Sequence, residues 1–192
     1  MEKFEDYAKK TDIELVNQSL KNRDCFVYLI KRYEQKLFRY ITRISGLRKE
    51  DAEDVLQGVF IKVYQNLNDF DPDLKFSSWI YRITHNQTIS NHRKLRTRPQ
   101  EIFVEDDLLN NFASELDLEK NADDVKLKKI VGGVLTILDE KYREILVLRF
   151  MEDQSYQEMA DILKKPIGTI ATLVNRAKKQ FKEEIKKNKL KL

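Results

Sequence analysis

The stretch Ser155–Phe181, SYQEMADILKKPIGTIATLVNRAKKQF, predicts a helix, a tight turn and a second helix. Ser155 can cap the first helix, and Glu158, three residues on, can bond back to the amide of the cap, which is the capping-box pattern. Pro166 suits the first turn of the second helix, because a missing N–H costs nothing there. Apolar residues recur at helical spacing in both helices, at Tyr156, Met159, Ala160 and Leu163 and then at Ile167, Ile170, Val174, Ala177 and Phe181.

The opposite face of the second helix is polar. At about 100° per residue, Thr172 and Lys179 lie nearly opposite the apolar stripe. Asparagine and arginine can bond base edges in pairs, and lysine neutralises phosphate. This face therefore indicates a helix that reads DNA, although an ordinary helical hairpin with a solvated polar face would show the same pattern. The candidate DNA contacts are Thr169, Thr172, Asn175, Arg176, Lys178 and Lys179.

The composition indicates small helical units rather than one deep core. Of the 192 residues, 41% are hydrophobic and 35% are charged, and 5 glycines and 3 prolines offer few sharp turns. Cys25 is the sole cysteine, so no disulfide can form within the chain, which fits a reducing cytosol. The start of the chain lacks an apolar signal region, and no apolar run approaches about 18 residues. We therefore expect a cytoplasmic protein without a membrane-inserted segment.

An acidic stretch divides the chain. Residues 101–124 carry nine acids and a single lysine, with no sustained apolar period. Such a segment is typical of a flexible linker. The sequence therefore predicts an all-α protein with two small helical domains joined by an acidic linker over residues 98–121. The N-terminal helical bundle spans residues 1–97, and a C-terminal four-helix unit with the helix-turn-helix spans residues 122–192.

The predicted helix Asp51–Leu67 carries an unusual polar face. Asp54, Gln57 and Ile61 lie opposite its apolar stripe, and Ile61 is an apolar residue among acids and glutamines. One exposed isoleucine usually has no consequence, but in this setting it could anchor a partner helix. Gly58 lies in the middle of the same helix at a cost of about 1 kcal/mol relative to alanine, and the sequence offers no reason for it.

Aromatic and basic residues crowd the next segment, NDFDPDLKFSSW followed by the predicted helix IYRITHNQTISNHRKLRTR. Rings beside cations suit single-stranded nucleic acid, because bases stack on the rings while the cations hold the backbone. The competing interpretation is that most of these rings form core, above all Phe76 and Trp79. The histidines, His85 and His92, are not spaced as metal ligands and are interpreted as surface or backbone-contact residues. Neither a metal nor another cofactor is therefore expected.

The chain resembles a bacterial RNA polymerase sigma factor in the order of its segments: DAEDVLQGVFIKVYQNL, FSSWIYRITHN, the acidic linker, LDEKYREILVLRF and SYQEMADILKKPIGTIATLVNRAKK. The resemblance is to the extracytoplasmic-function (ECF) class of the sigma-70 family. It implies a protein that is not an enzyme, binds core polymerase, recognises the −35 and −10 promoter elements and melts DNA. The implied partners are promoter DNA, the clamp helices of the largest polymerase subunit, the flap of the second-largest subunit and an anti-sigma factor.

The resemblance also implies roles for single residues. The Asp51–Tyr64 helix matches the segment that docks on the clamp helices, with Asp54, Gln57 and Ile61 as contacts. The loop before Phe76 and the helix after it match the part that melts the −10 element and holds its non-template strand. The final helix matches the reader of the −35 element. The implied −10 contacts are Phe70, Tyr81, Arg82, Asn86, Arg93 and Lys94.

The sequence departs from the family pattern in three regions. Gly58 stands where an acid is usual, and Ala171 and Leu173 stand where basic residues are common. Lys164-Lys165 replaces the usual glycine-bearing turn of the helix-turn-helix. The resemblance therefore implies fewer charged −35 contacts than is usual for the family.

Two other functions compete with this one. A stand-alone helix-turn-helix regulator would dimerise on a palindrome without polymerase, but it leaves the aromatic and basic N-terminal segment unexplained. A helical enzyme holding a metal on Asp51, Glu53 and Asp54 would usually need several glutamates and a Glu-x-x-His spacing, and the sequence lacks that spacing.

Overall fold

The computed structural model describes residues 7, 9–96 and 122–189, and the side chains of residues 92–96, 122–129, 188 and 189 lie outside the description. Within those ranges every regular element is a helix and no strand occurs. This confirms the predicted all-α class. The predicted acidic linker, residues 98–121, lies outside the described residues.

The described part of the chain forms two sets of α-helices. The N-terminal set is α1 (Asp12–Lys21), α2 (Phe26–Ser45), α3 (Lys49–Gln65) and α4 (Phe76–Arg96), with short 3-10 helices at Arg23–Cys25 and Leu67–Asp69. The C-terminal set is α5 (Ala122–Ile137), α6 (Glu140–Phe150), α7 (Tyr156–Leu163) and α8 (Ile167–Lys189). The helix-turn-helix predicted from Ser155–Phe181 is the pair α7 and α8.

Side chains of the cap residues decide where two helices begin. The Ser155 amide donates to Glu158 Oε2 at 2.7 Å, and the Glu158 amide donates to Ser155 Oγ at 3.2 Å. Thr11 and Glu14 form the same reciprocal pair at the start of α1, at 2.7 and 3.3 Å. Each box satisfies amides that the first turn of a helix leaves without a partner. The capping box predicted at Ser155 is therefore present.

The turn of the helix-turn-helix forms without a glycine. Lys164, at the end of α7, adopts the left-handed conformation with φ 52° and ψ 46°, which costs a residue with a side chain roughly 1–2 kcal/mol. The amides of Lys164 and Lys165 both donate to the carbonyl of Ala160, the latter at 3.2 Å. These hydrogen bonds close the turn and offset the backbone strain.

Helix α2 is the centre of the N-terminal half, and α1, α3 and α4 pack around it. Its fully buried side chains are Leu29, Leu37, Tyr40 and Ile41. A cluster of rings fixes the loop between α3 and α4 onto this core, since the Phe70 ring lies 5.3 Å from Phe76 and 5.4 Å from Trp79, centroid to centroid. The interpretation of Phe76 and Trp79 as core residues is therefore confirmed.

The C-terminal half is held by an apolar centre and by one arginine. Its largest fully buried side chains are Ile145, Leu148, Met159, Ile162 and Ile170. The guanidinium of Arg143 donates to the carbonyls of Leu135, Thr136 and Leu138 at 2.9, 2.8 and 3.2 Å. Because the last carbonyls of a helix lack intrahelical partners, Arg143 caps the end of α5 and fixes the angle between α5 and α6.

Gly58 has one close neighbour across the contact between α3 and α4. A Cβ built at this position would lie 3.1 Å from Gln87 Nε2 on α4. That atom is the far end of a flexible side chain, so a small side chain at position 58 requires only that the Gln87 amide move.

We expect Gly58→Ala to raise the free energy of unfolding by up to about 1 kcal/mol, because alanine favours the helix and the Gln87 amide can rotate away. Gly58→Val, whose β-branched side chain is larger and less favourable in a helix, serves as the control and lowers that free energy. Urea denaturation followed by circular dichroism measures both. A clear loss of stability in Gly58→Ala would show that Gln87 is held in place.

Candidate functional site

The outer face of α8 carries the predicted DNA contacts. Thr169, Thr172, Asn175, Arg176, Lys178 and Lys179 are all exposed, whereas Ile170, Val174 and Ala177 on the other side are fully buried. The predicted division of α8 into a buried and an exposed face is confirmed. Ile167, predicted on the apolar stripe, is an exception and is exposed because it lies at the helix start, ahead of the core.

Two of the six side chains on this face are already engaged within the chain. The Thr172 hydroxyl donates to the Gly168 carbonyl at 3.0 Å, so its methyl group and its acceptor lone pairs face outward. Lys178 Nζ lies 5.2 Å from the centroid of the Phe150 ring, which places it to the side of the face that carries Thr172 and Arg176. Leu173, by contrast, is partly buried and packs against the hydrophobic core.

An apolar groove lies beside that face, between α5, α6 and α8. It encloses about 280 Å³. Its lining residues are Val131, Leu135, Leu146, Phe150, Met151, Lys178 and Phe181. Phe150 lies on the wall of the groove, and 55% of the residue is exposed. The groove needs three helices to form, so no local sequence pattern indicates it.

The exposed face of α3 contains the three predicted docking residues. Asp54, Gln57 and Ile61 are all exposed, and 52% of Ile61 is accessible. Tyr64, one turn beyond Ile61, is also exposed, and its ring packs edge-on against Phe26 with the centroids 5.1 Å apart. The face therefore combines two apolar side chains with an acid and an amide. Sequence analysis missed Tyr64, although its spacing of three residues from Ile61 is a helical one.

Two of the predicted −10 contacts are buried in this structure. Phe70 is 7% exposed, within the ring cluster of the N-terminal core. Tyr81 is 3% exposed, and its hydroxyl donates to Glu152 Oε2 at 2.5 Å. Neither ring presents a face to a nucleic-acid strand in this arrangement of the chain. The reasons differ, because Phe70 is covered by its own half and Tyr81 is contacted by a residue of the other half.

The other −10 candidates lie along α4. Asn86 is exposed and Arg82, one turn before it, is half-buried, so the two occupy one side of the helix. Arg93 and Lys94 belong to α4, but their side chains lie outside the described part of the chain.

His85 is partly buried. Its Nδ1 lies 3.0 Å from the Tyr40 hydroxyl. Burial, together with the positive charge of Lys165, lowers the pKa of His85 to about 4. The ring is therefore uncharged at neutral pH. His92 has no described side chain.

The acids near the start of α3 do not form a metal site. Asp51 lies 3.3 Å from Arg48 Nε, and Glu53 lies 3.8 Å from Lys49 Nζ. Across the described ranges, no group of three or more histidine, cysteine, aspartate or glutamate side chains could hold a metal ion. None of the helices within those ranges is long and apolar enough to cross a membrane.

Comparison with known proteins gives matches over most of the chain. The model of Sigma-70 region 2 matches residues 29–98, and the model of Sigma-70, region 4 matches residues 130–181. The ECF RNA polymerase sigma-E factor of Escherichia coli strain K12 is 31% identical over 91% of this chain and 94% of its own length. The ECF RNA polymerase sigma factor SigW of Bacillus subtilis strain 168 is 26% identical over 86% of this chain and 91% of its own.

Solved structures share the fold. CnrH, solved in complex with the cytosolic domain of CnrY, superposes with a TM-score of 0.66 at 24% identity, covering 90% of this chain and 95% of that one. The sigma factor RpoE of Bartonella quintana, solved with the anti-sigma factor NepR, gives a TM-score of 0.64 at 20% identity, covering 84% of this chain and 96% of that one.

Proposed function

The chain belongs to the sigma-70 family of RNA polymerase sigma factors, in the extracytoplasmic-function class, and we propose which of its surfaces contact polymerase and which contact promoter DNA. It binds core RNA polymerase and directs it to promoters. The observation that carries this function is the succession of region 2 and region 4 along one chain. We propose that it acts as an initiation factor with no catalytic role. A stand-alone helix-turn-helix regulator would need only the second of those regions.

We propose that Asp54, Gln57 and Ile61 on α3 dock on the clamp helices of the largest polymerase subunit, with Tyr64 extending the contact. An exposed isoleucine and tyrosine at helical spacing offer an apolar anchor, and the flanking acid and amide offer a polar rim. Interfaces of this composition concentrate binding energy in a few buried anchors.

The apolar groove between α5, α6 and α8 suits an amphipathic helix. Its walls are hydrophobic, and the exposed Phe150 ring stands at its edge with the Lys178 ammonium 5.2 Å from the ring centroid. A helix that lays its apolar face into such a groove is a recurrent mode of recognition. We propose the flap of the second-largest subunit as the occupant.

We propose that α8 reads the −35 element through Thr169, Thr172, Asn175 and Arg176, with Lys179 on the phosphates. Lys178 lies beside the groove, so its phosphate contact would require its side chain to leave Phe150. Arg82 and Asn86 on α4 are proposed to hold the −10 strand, together with Arg93 and Lys94. A role for Tyr81 there requires that Glu152 be removed from it first.

Ile61→Glu is expected to weaken binding of core polymerase by about tenfold or more, because a charge replaces the apolar anchor of the docking face. The matched control is Ile13→Glu, the same change at another exposed isoleucine, on α1. Co-purification with core polymerase and fluorescence titration measure the effect. Wild-type binding by a folded Ile61→Glu protein would contradict this docking assignment.

Asn86→Ala is expected to reduce open-complex formation on duplex promoters more than on templates already melted at −10, because Asn86 is proposed to hold a captured base. Permanganate footprinting on both templates measures the difference, and the premelted template is the internal control. Unchanged footprints on both would rule out a role for Asn86 in strand capture.

Arg176→Ala and Lys179→Ala are expected to weaken binding to the −35 element in different ways. Loss of Arg176, as a reader of base edges, costs about 1–3 kcal/mol and relaxes preference at one position of the −35 element. Loss of Lys179, as a phosphate contact, weakens all sequences alike and lowers the salt slope by about one unit. Binding of both variants, in complex with core polymerase, to −35 variants over a salt series separates the two. Equal losses on every sequence for Arg176→Ala would exclude base reading by it.

A further inference from the structure

The contact between the two halves of the chain is built around one buried carboxylate. Glu152, in the loop after α6, accepts a hydrogen bond on Oε1 from Arg43 Nη1 of α2 at 2.8 Å, and the two side chains are 6% and 8% exposed. Its Oε2 accepts the hydroxyl of Tyr81 on α4 at 2.5 Å. Both oxygens of one acid in the C-terminal half are thus held by donors from two helices of the N-terminal half.

A second contact joins α4 to the helix-turn-helix. Helices α4 and α7 pack against each other along their sides. Lys75 Nζ, just before α4, lies 2.9 Å from Glu158 Oε1 in the capping box of α7. We call this arrangement, in which the two halves are in contact, the closed body. In it the C-terminal half covers one side of α4, the helix to which the −10 contacts are assigned.

A buried ion pair contributes little net stability but is costly to break by removing one partner. Taking Arg43 and Glu152 out of water costs about as much as their attraction returns, so such a pair adds little net stability. Removing the charge from one partner, however, leaves the other charge buried without its oppositely charged partner, which is strongly unfavourable. The contact is specific to one arrangement, because each buried polar group needs its partner within hydrogen-bond distance. It is also easily opened, because Glu152, Arg43 and Tyr81 can all bind water when the halves separate.

The closed body is too small to work on a promoter. The −35 and −10 elements are numbered about 25 base pairs apart, which is roughly 85 Å of DNA at about 3.4 Å per base pair. A compact chain of this length has a radius of gyration of roughly 16 Å and is therefore about 40 Å across. Helices α4 and α8 can reach both elements only after the two halves have moved apart.

We propose that Glu152 is a latch that holds the free protein in a self-inhibited, closed state, and that binding to core polymerase requires the latch to open. The proposal rests on the proposed sigma-factor function. If only the open state can bind polymerase, the apparent affinity equals the affinity of the open state multiplied by the fraction of molecules that are open. Opening the latch by mutation therefore strengthens polymerase binding without adding any contact.

The test compares Glu152→Gln with Asp153→Asn, two neighbouring changes that each remove one negative charge. Asp153 is fully exposed, with its nearest cation, Arg149, 3.9 Å away, and asparagine tolerates its positive φ of 50°. Arg43→Gln, which removes the other charge of the pair, checks the latch from the N-terminal half. Circular dichroism confirms that all variants keep their helices.

Closure is measured on the free full-length proteins by small-angle X-ray scattering and by carbodiimide cross-linking of Lys75 to Glu158, detected by mass spectrometry. Wild type and Asp153→Asn are expected to be compact and to give the cross-link. Glu152→Gln and Arg43→Gln are expected to be expanded and to lose most of it. An expanded wild type, or a Glu152→Gln protein as compact as wild type, would overturn the latch.

Inhibition is measured by titration with core polymerase. Glu152→Gln and Arg43→Gln are expected to bind on the order of tenfold more tightly than wild type and Asp153→Asn. Equal affinities in compact and expanded variants would overturn self-inhibition while leaving the sigma-factor function intact. Absence of core binding in every variant would overturn the proposed function, and self-inhibition with it.

Discussion

The closed arrangement of this chain depends on the carboxylate of Glu152. It lies out of water between Arg43 and Tyr81, which belong to two different helices of the other half. Apolar surfaces tolerate small shifts, but a buried charge requires its partners at hydrogen-bond distance. These three polar groups join the two halves together with the packing of α4 against α7 and the Lys75–Glu158 ion pair, and water can replace each of the three when the halves separate.

Helix α4 serves several surfaces at once. Ile80 and Tyr81 are buried, Asn86 is exposed, and the N-terminal end of the helix carries the ring cluster that fixes the preceding loop. Gln87 meets α3 at the position where Gly58 removes a side chain. Helix α4 is therefore packed on several sides, and Tyr81 is covered while its hydroxyl binds Glu152 of the other half.

The apolar surfaces that remain exposed are separate and differ in shape. Ile61 and Tyr64 project from the outer side of α3, whereas Phe150 borders a groove between three helices. A projecting anchor fits a groove on its partner, and a groove fits a partner's helix. Each half of the chain thus carries a different kind of exposed apolar surface, and both surfaces are separate from the exposed face of α8 that carries Arg176.

The sequence by itself determined the helical class, the helix-turn-helix and the family, because periodicity, the capping box at Ser155 and the order of segments are local or linear properties. It also predicted the two faces of α8 and the exposure of Ile61. Only the tertiary structure decided that Tyr81 is covered, that Phe150 is exposed and that Gly58 faces Gln87 of α4. The reason is distance along the chain: Glu152, which binds Tyr81, lies 71 residues away in the loop after α6, and no local sequence pattern indicates which distant residues a side chain will contact.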